Sequence, residues 1–390
     1  MQYRDFGSSG WKASALGLGC MRLPTADGRH SSALIDEAEA IRMMRHAIDK
    51  GVNYLDTAYT YHEGKSEVVI GRALEDGYRK RVRVATKLPV WLVHGPEDFD
   101  RILSEQLRRL RDDHVDFYLF HGLNRRFWRE VVLRHDLLEK ARAALADGRI
   151  RQLGFSFHDD YAAFKEILDG SDLWSFCQIQ YNYINVEDQA GQRGLKLAAD
   201  RGLAVVVMEP LLGGRLADPP VEIMETMMEF PLRRTPVEWA FGWLWDQPDV
   251  SVVLSGMSNL TQVEENLRLA ARAKAHCFGT KEQILLAEVR AGYKARTVIP
   301  CTGCGYCMPC PNGLDVPTNF ELYNYARAFD DVATAQLRYD FFLKPEQRAG
   351  ACLRCGACLD VCPQQIPVFD WMEKVRMLLD TCVREKENQQ

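Results

Sequence analysis

The 390-residue chain lacks the features that mark membrane, secreted and nucleic-acid-binding proteins. No apolar run approaches the roughly 18–20 residues that a membrane helix needs. The first residues, MQYRDFGSSGWK, carry charges where a signal peptide has its apolar core. With a net charge of -5 and 26% charged residues, the composition argues against a basic surface for nucleic acid or anionic lipid. We therefore expect a soluble, cytoplasmic protein that binds neither nucleic acid nor membrane.

Cysteine is the one residue type whose distribution is unusual. Only four of the twelve cysteines are scattered along the chain, and the other eight form two groups after residue 300. A disulfide framework needs an oxidising compartment, for which the sequence gives no sign. The two groups therefore predict a metal or cluster site.

Short apolar runs alternate with amphipathic stretches from about residue 15 to residue 270. Eight runs rich in β-branched and aromatic residues read as buried parallel strands: 15–20, 52–56, 82–86, 115–121, 150–156, 176–180, 203–209 and 250–256. Eight strand–helix units predict a (β/α)8 barrel over residues 1–275, and a doubly wound open sheet is the alternative. The first predicted strand ends in GLGC and not in the G-x-G-x-x-G of a Rossmann domain.

No strand pattern follows residue 275. We expect a helical connector over residues 276–299 and a small all-helical domain, organised around its cysteines, over residues 300–390. The chain is thus predicted to be an α/β barrel followed by a second domain.

Polar side chains end three neighbouring strands of the predicted barrel. Asp56 ends the second strand, with Tyr61 five residues later, Lys87 ends the third, and His121 ends the fourth. Any one of them is explained by a solvated polar group at a strand end. Together, at the face where barrel active sites lie, they predict catalytic residues.

Over residues 3–275 the chain resembles the aldo/keto reductase family. The motifs that carry the resemblance are LGLGCMRL (16–23), DTAYTYHEGKSEVVIG (56–71), ATK (85–87), YLFHGL (118–123), IRQLGFS (150–156), CQIQYN (177–182), EPLLGGRL (209–216) and QVEENL (262–267). It implies an oxidoreductase that reduces a small-molecule carbonyl, or oxidises the alcohol, with Asp56, Tyr61, Lys87 and His121 as its catalytic tetrad.

The chemistry of carbonyl reduction explains these residue types. A hydride goes to carbon and a proton to oxygen, but a free phenol has a pKa of about 10 and is a weak acid near neutrality. We expect the ammonium of Lys87 to lower the pKa of Tyr61. Asp56 would keep Lys87 charged, and His121 would hold the carbonyl oxygen.

The resemblance also implies a nicotinamide nucleotide, although several positions depart from the family pattern. Ser156 and Gln178 match residues that hold the carboxamide, whereas Phe157 replaces an asparagine and Met208 a stacking tyrosine. Aligning on Glu265 and Asn266 places Gly256 and Gln262 where basic residues usually grip the 2′-phosphate of NADP. Other polar groups there that could bind phosphate are Ser255, Ser258 and Asn259. NADP(H) and NAD(H) are both expected candidates, and a flavin in the altered half remains an alternative.

The two cysteine groups read C-x2-C-x2-C-x2-C-P and C-x2-C-x2-C-x3-C-P. The second is the run of bacterial two-cluster ferredoxins, in which the fourth cysteine ligates the other cluster. Structural zinc is the alternative, but zinc ribbons use cysteine pairs. The resemblance to ferredoxins with paired [4Fe–4S] centres implies two ligand sets: Cys301, Cys304, Cys307 and Cys362 on cluster 1, and Cys310, Cys352, Cys355 and Cys358 on cluster 2.

Three functional hypotheses follow. The first is a carbonyl reductase whose clusters exchange electrons with an external redox protein such as a ferredoxin. The second is an NAD(P)H-dependent carbonyl reductase with purely structural clusters. The third is a non-catalytic redox sensor or scaffold, against which the complete tetrad argues.

Overall fold

The computed structural model describes residues 1–28, 32–301, 303, 305, 307–359, 361–362 and 364–380. The chain divides into two compact units, residues 1–217 with 234–280 and residues 218–233 with 281–390. The domain limits at 275 and 300 remain predictions. Among the described residues, no helix has the length and apolar character needed to cross a membrane.

The first unit holds every strand found in the described residues. They are β1 (Tyr3–Asp5), β2 (Lys12–Ser14), β3 (Leu16–Gly19), β4 (Tyr54–Asp56), β5 (Arg83–Pro89), β6 (Val115–Leu123), β7 (Ile150–Phe157), β8 (Trp174–Gln180), β9 (Ala204–Met208) and β10 (Val252–Ser255). Strands β3 to β10 pair in parallel in chain order, and β10 closes the circle against β3. The predicted (β/α)8 barrel is confirmed, and the open-sheet alternative is wrong.

Helices follow the barrel strands and continue into the second unit. They are α1 (Glu37–Asp49), α2 (Lys65–Ala73), α3 (Glu97–Leu110), α4 (Arg125–Phe127), α5 (Leu137–Ala146), α6 (Tyr161–Asp169), α7 (Gly191–Asp200), α8 (Val221–Met228), α9 (Pro236–Asp246), α10 (Leu260–Ala270), α11 (Thr280–Ala295), α12 (Val316–Ala328), α13 (Val332–Phe342) and α14 (Val368–Leu379).

Side-chain alternation along the barrel strands decides which residues reach the interior. On β7, Phe155 and Phe157 pack outward against Phe164 of α6, at ring-centroid distances of 5.8 and 5.1 Å. Ser156, between them, therefore faces the barrel interior. Because both strand faces are covered, the strands read as continuous apolar runs, which is why the sequence revealed them.

An N-terminal hairpin, which the sequence did not predict, closes one end of the barrel. Strands β1 and β2 pair antiparallel, and the following Phe6 is fully buried. Its ring lies 4.6 Å from Phe117, 5.7 Å from Phe176 and 5.9 Å from Tyr54, which all stand near the starts of their strands. The opposite, C-terminal end of the barrel is therefore the face available for a site.

The second unit is helical in its described residues, as predicted. Its core gathers apolar residues of α12, α13 and α14, and Tyr339 anchors it by accepting a hydrogen bond from the N–H of Ala349 at 2.8 Å. Asp315 and Asp331 cap the first turns of α12 and α13. Helix α8 belongs to this unit, and its Glu222 pairs with Arg296 at 3.0 Å.

Candidate active site and metal centre

A chain of hydrogen bonds joins three of the four predicted catalytic residues. The ammonium of Lys87 donates to Oδ1 of Asp56 at 2.5 Å, to the carbonyl of Thr57 at 2.8 Å and to Oη of Tyr61 at 3.1 Å. Lys87 is 1% exposed and Asp56 is 3% exposed. All three N–H groups of the ammonium therefore donate hydrogen bonds, and these bonds fix its position.

Strand register explains why these side chains meet. Asp56 pairs with Ala85 on β5, and Lys87 lies two residues further along the same strand, so both side chains face the same side. Pro89 pairs in turn with His121 on β6. The rings of His121 and Tyr61 meet edge to face at 5.9 Å between centroids. The structure therefore brings all four predicted residues together.

The turn after Tyr61 fixes the position of that side chain. His62, Glu63 and Gly64 have φ angles of 52°, 54° and 85°, three consecutive left-handed residues. For a residue other than glycine, this conformation costs about 1–2 kcal/mol. The buried ring of His62 helps to hold it, because its Nε2 accepts from the N–H of Leu23 at 3.2 Å and its Nδ1–H donates to the carbonyl of Ser32 at 2.7 Å.

Burial and charge determine the protonation states in the tetrad. Burial raises the pKa of Tyr61 more than the neighbouring Lys87 lowers it, so the expected net lowering is not what the structure gives. Burial alone would lower the pKa of Lys87, but the carboxylate of Asp56 and the phenol of Tyr61 raise it above its ordinary value. Near neutrality the site therefore presents a neutral phenol beside a charged ammonium.

His121 is neutral for a different reason. Burial, together with the charges of Lys87 and His158, brings its pKa well below the ordinary value. Its buried Nδ1 has no hydrogen-bond partner in the described part of the chain. The ring of Trp91 lies 4.9 Å from the ring of His121 and is 40% exposed. Trp91, an aromatic residue four positions after Lys87, was missed by sequence reasoning and forms a wall beside the tetrad.

Ser156 and Gln178, which are predicted to hold the nicotinamide carboxamide, lie on neighbouring strands, but both make hydrogen bonds to other groups of the protein. Ser156 and Gln178 are register partners on β7 and β8. Oγ of Ser156 accepts from the N–H of Gly122 at 2.8 Å, and Nε2 of Gln178 donates to Oδ2 of Asp56 at 3.1 Å. Met208 ends β9, half-buried. Phe157, expected in this half of the site, instead packs in the outer layer.

The residues predicted for phosphate binding mostly bond to one another. Oγ of Ser258 donates to the carbonyl of Arg22 at 2.9 Å. The N–H of Ser258 donates to Oε1 of Gln262 at 2.8 Å, and the N–H of Gln262 donates to Oδ1 of Asn259, the N-cap of α10, at 2.9 Å. Nδ2 of Asn266 donates to Oγ of Ser255 at 3.0 Å. Glu265 lies half-buried on α10. A Cβ at Gly256 would stand 3.4 Å from the side chain of Arg22, so this arginine packs over the glycine.

Two arginines missed by sequence reasoning converge beside this loop. Nη1 of Arg22 donates to the carbonyl of Gly213 at 2.7 Å, and the 9%-exposed Arg215 donates to the carbonyl of Leu212. Nitrogens of the two guanidinium groups lie 3.2 and 2.8 Å from the position that a Cβ of Gly213 would occupy. Gly213 and Gly214 have φ angles of 74° and 102°, which require glycine. We call Arg22 and Arg215 the arginine pair.

In the second unit, cysteine side chains line a cavity of about 210 Å³. It includes all four residues predicted for cluster 2 (Cys310, Cys352, Cys355 and Cys358), and also Cys307. Burial raises the pKa of the Cys358 thiol, and the charges of its neighbours Cys352, Cys355 and Cys310 add to that effect. Convergent thiols around a cavity suit an iron–sulfur cluster, whose ligands are thiolates.

The residues predicted for cluster 1 are only partly described. Cys301, Cys307 and Cys362 are half-buried and pack against the helical core, whereas Cys304 lies outside the described residues. The assignment of this ligand set remains a prediction.

Comparisons with known proteins agree with both parts of this description. Residues 15–275 match the model of the Aldo/keto reductase family, and residues 300–366 match that of a 4Fe-4S dicluster domain. Uncharacterized oxidoreductase YqkF of Bacillus subtilis (strain 168) is 25% identical over 303 residues, which are 69% of this chain and 91% of YqkF. Uncharacterized oxidoreductase YrpG of the same organism is 28% identical over 236 residues, 55% of this chain and 68% of YrpG.

Solved structures give the same result. The holo form of aldo-keto reductase AKR11C1 from Bacillus halodurans superposes with a TM-score of 0.62 at 26% identity, covering 74% of this chain and 96% of its own. An aldo/keto reductase from Klebsiella pneumoniae, in complex with NADP and acetate, shares the fold with a TM-score of 0.59 at 23% identity, covering 74% and 95%.

Proposed function

Because this chain belongs to the aldo/keto reductase family and carries a 4Fe-4S dicluster domain, we propose that it reduces a small-molecule carbonyl, or oxidises the alcohol, and exchanges electrons through its clusters. The observation that carries the proposal is the ammonium of Lys87, which donates hydrogen bonds to both Asp56 and Tyr61 and lies near the neutral His121.

Tyr61 is the proton donor to the carbonyl oxygen in this proposal. Burial keeps its phenol protonated, so it holds a proton until negative charge develops on the substrate oxygen. The ammonium of Lys87, 3.1 Å from Oη, then stabilises the phenolate that remains. Asp56 balances the charge of Lys87 and is itself held by Gln178.

His121 orients the carbonyl oxygen as a hydrogen-bond donor. A neutral imidazole carries one N–H, and the low pKa of His121 keeps the ring in that form near neutrality. Trp91 narrows access beside it and limits water at the reacting carbon. In alcohol oxidation the same groups act in reverse, with Tyr61 receiving the proton.

We propose that a nucleotide cofactor is held by Ser156, Gln178 and Met208 at its reactive ring and by the arginine pair at its diphosphate. When bound, a nicotinamide nucleotide or a flavin supplies or accepts the hydride, and the iron–sulfur clusters supply or accept single electrons. The chain contains no lysine or arginine from Ser255 to Asn266, and Arg22, whose side chain packs over Gly256, would bring positive charge to this loop. One relative is solved with NADP, and both NADP(H) and NAD(H) are proposed for this chain.

We further propose that an external redox protein such as a ferredoxin exchanges electrons with the clusters. Clusters transfer one electron at a time whereas hydride transfer moves two, so coupling the two would need a carrier between them that accepts electrons singly and in pairs, as a flavin does. The external redox protein would carry single electrons to or from the clusters. A second candidate function, NAD(P)H-dependent reduction with structural clusters, is favoured by the packing of six cluster cysteines against the helical core. Replacing Cys355 by alanine separates the two, since a structural cluster affects stability and an electron-transfer cluster affects turnover with the redox protein.

Tyr61→Phe tests the proposed acid. Turnover of a panel of aldehydes and ketones, offered NADPH, NADH and chemically reduced ferredoxin, should fall by about 10²–10⁴-fold. Tyr59→Phe is the matched control, because its hydroxyl bonds to Glu105 at 2.8 Å outside the tetrad, and it should keep its activity. Full activity in Tyr61→Phe would remove this residue from the mechanism.

An anaerobic visible spectrum tests the electron path. Bleaching of the broad iron–sulfur band on addition of NADPH or NADH supports one electron-transfer enzyme. If the band does not change, chemically reduced ferredoxin is added next. A band that does not bleach with reduced ferredoxin either supports structural clusters.

A further inference from the structure

Among the described residues, the cavity lined by Cys310, Cys352, Cys355 and Cys358 contains a neutral side-chain donor aimed at a predicted cluster ligand, Cys355. Nδ2 of Asn312 lies 3.7 Å from Sγ of Cys355, within hydrogen-bonding range for sulfur, and Asn312 lines the same cavity. No part of the carbonyl reduction described above uses this residue.

The local backbone explains why Asn312 points back at the cavity. Cys310, Pro311, Asn312 and Gly313 form a tight turn, in which the N–H of Gly313 donates to the carbonyl of Cys310 at 2.9 Å. Proline and asparagine suit the two central positions of a turn, and Gly313 follows with a φ of +79°. The turn therefore ties the asparagine to a cysteine of the same ligand set.

Arg354 is a second polar side chain among the described residues that line this cavity, and its charge is balanced. Arg354, the neighbour of Cys355, donates to Oδ1 of Asp370 at 3.1 Å and lies 4.8 Å from the centre of the Phe369 ring. Its charge is thus offset by a carboxylate, whereas the amide of Asn312 is directed at sulfur.

We propose that Asn312 is a positioning residue that raises the reduction potential of the cluster held by Cys310, Cys352, Cys355 and Cys358. Hydrogen bonds to the cysteine sulfurs are one of the factors that set cluster potentials. Reduction adds one electron to a cluster already made negative by its thiolates, and an N–H donor at Sγ stabilises the more negative state. The cluster served by Asn312 is then easier to reduce than it is without that donor.

The test is a redox titration of the anaerobically purified full-length holoprotein, followed by electron paramagnetic resonance and visible absorbance. In Asn312→Leu, we expect the reduction equilibrium of one cluster to shift roughly tenfold toward the oxidised form, which is about 59 mV for a one-electron couple. The other cluster is an internal control and should not shift. Asn312→Asp, which removes the side-chain N–H donors and adds a negative charge, should lower the same potential further than Asn312→Leu does.

Two further variants keep the result interpretable. Asn312→Gln keeps the amide donors and should recover part of the potential. Gln336→Leu removes an amide of the same unit that bonds to the carbonyl of Leu378 at 3.0 Å, and both potentials should stay unchanged. With full iron and sulfide content, an unshifted or raised potential in Asn312→Leu, or an equal shift in Gln336→Leu, overturns the proposal. The readout is a potential, so this result is independent of whether Tyr61 catalyses carbonyl reduction.

Discussion

Replacing Asp56 by asparagine should destabilise the barrel through the charge that it leaves behind. Lys87 is 1% exposed, and in the described part of the chain its ammonium has one anionic partner, Asp56, at 2.5 Å. Removing one member of a buried ion pair costs about 3–5 kcal/mol, a large part of the 5–15 kcal/mol that stabilises a typical domain. With a urea m-value of about 3 kcal/mol/M, the midpoint of the barrel transition should fall by roughly 1–2 M.

The pH dependence of that loss identifies its cause. In the variant, burial lowers the pKa of Lys87 below its unfolded value of about 10.4, because the carboxylate that raised it has gone. The unfolded state then binds the proton more readily, so the stability of the variant rises as pH increases toward about 10. In the parent protein the pKa of Lys87 is raised, and this contribution does not change until the pH passes above its unfolded value. The difference between the two proteins should therefore shrink with increasing pH.

The double variant Asp56→Asn/Lys87→Met is the control. It removes both charges, so it should be more stable than Asp56→Asn alone. Urea midpoints at several pH values measure all three proteins. A loss under about 1 kcal/mol, or one that does not change with pH, would refute the reasoning that a buried uncompensated ammonium is responsible.

Three further predictions concern other parts of the barrel. Burial lowers the pKa of His62 below the unfolded value of about 6.5, so the stability that its neutral ring provides is present above that pH and is lost as pH falls below it. In His62→Gln, the urea midpoint should therefore change less between about pH 5 and about pH 8 than it does in the parent protein. Gly71→Ala would place its Cβ 2.7 Å from the backbone carbonyl oxygen of Arg109, and we expect a loss of about 1–3 kcal/mol in thermal unfolding. Arg22→Leu should weaken nucleotide binding at least tenfold in a fluorescence titration, whereas Arg126→Leu, which removes an exposed arginine stacked on its neighbour's ring, should leave it unchanged.

The barrel could be predicted because buried parallel strands leave a direct signal in the sequence. Each is a short run of β-branched and aromatic residues, and the ends of these strands predict that Asp56, Lys87 and His121 lie on one face of the barrel. The N-terminal hairpin left no comparable signal, because three-residue strands are too short to show a period. Phe6 closes the barrel through ring contacts with residues more than forty positions away.

Side-chain direction and long-range pairing explain what the sequence did not show in the site. The position of Phe157 in the chain predicts a place in the nicotinamide half of the site, but strand alternation turns its side chain outward. The arginine pair joins residues 193 positions apart, and the chain turns beside them at the two glycines of LGGR, whose φ angles are left-handed. The net pKa of Tyr61 depends on its burial, which a motif does not reveal.

The membership of α8 in the second unit bears on the order of events during synthesis. Residues 218–233 leave the ribosome before the last barrel strand, β10, yet they group with residues 281–390, which emerge only after the barrel sequence is complete. Arg296, the partner of Glu222, is made 74 residues after it. The barrel can close before this segment has its partners, and Val221 and Met228, exposed even in the finished protein, are then uncovered together with the rest of the helix. A nascent chain halted near residue 280 should therefore be more prone to chaperone binding than the finished protein.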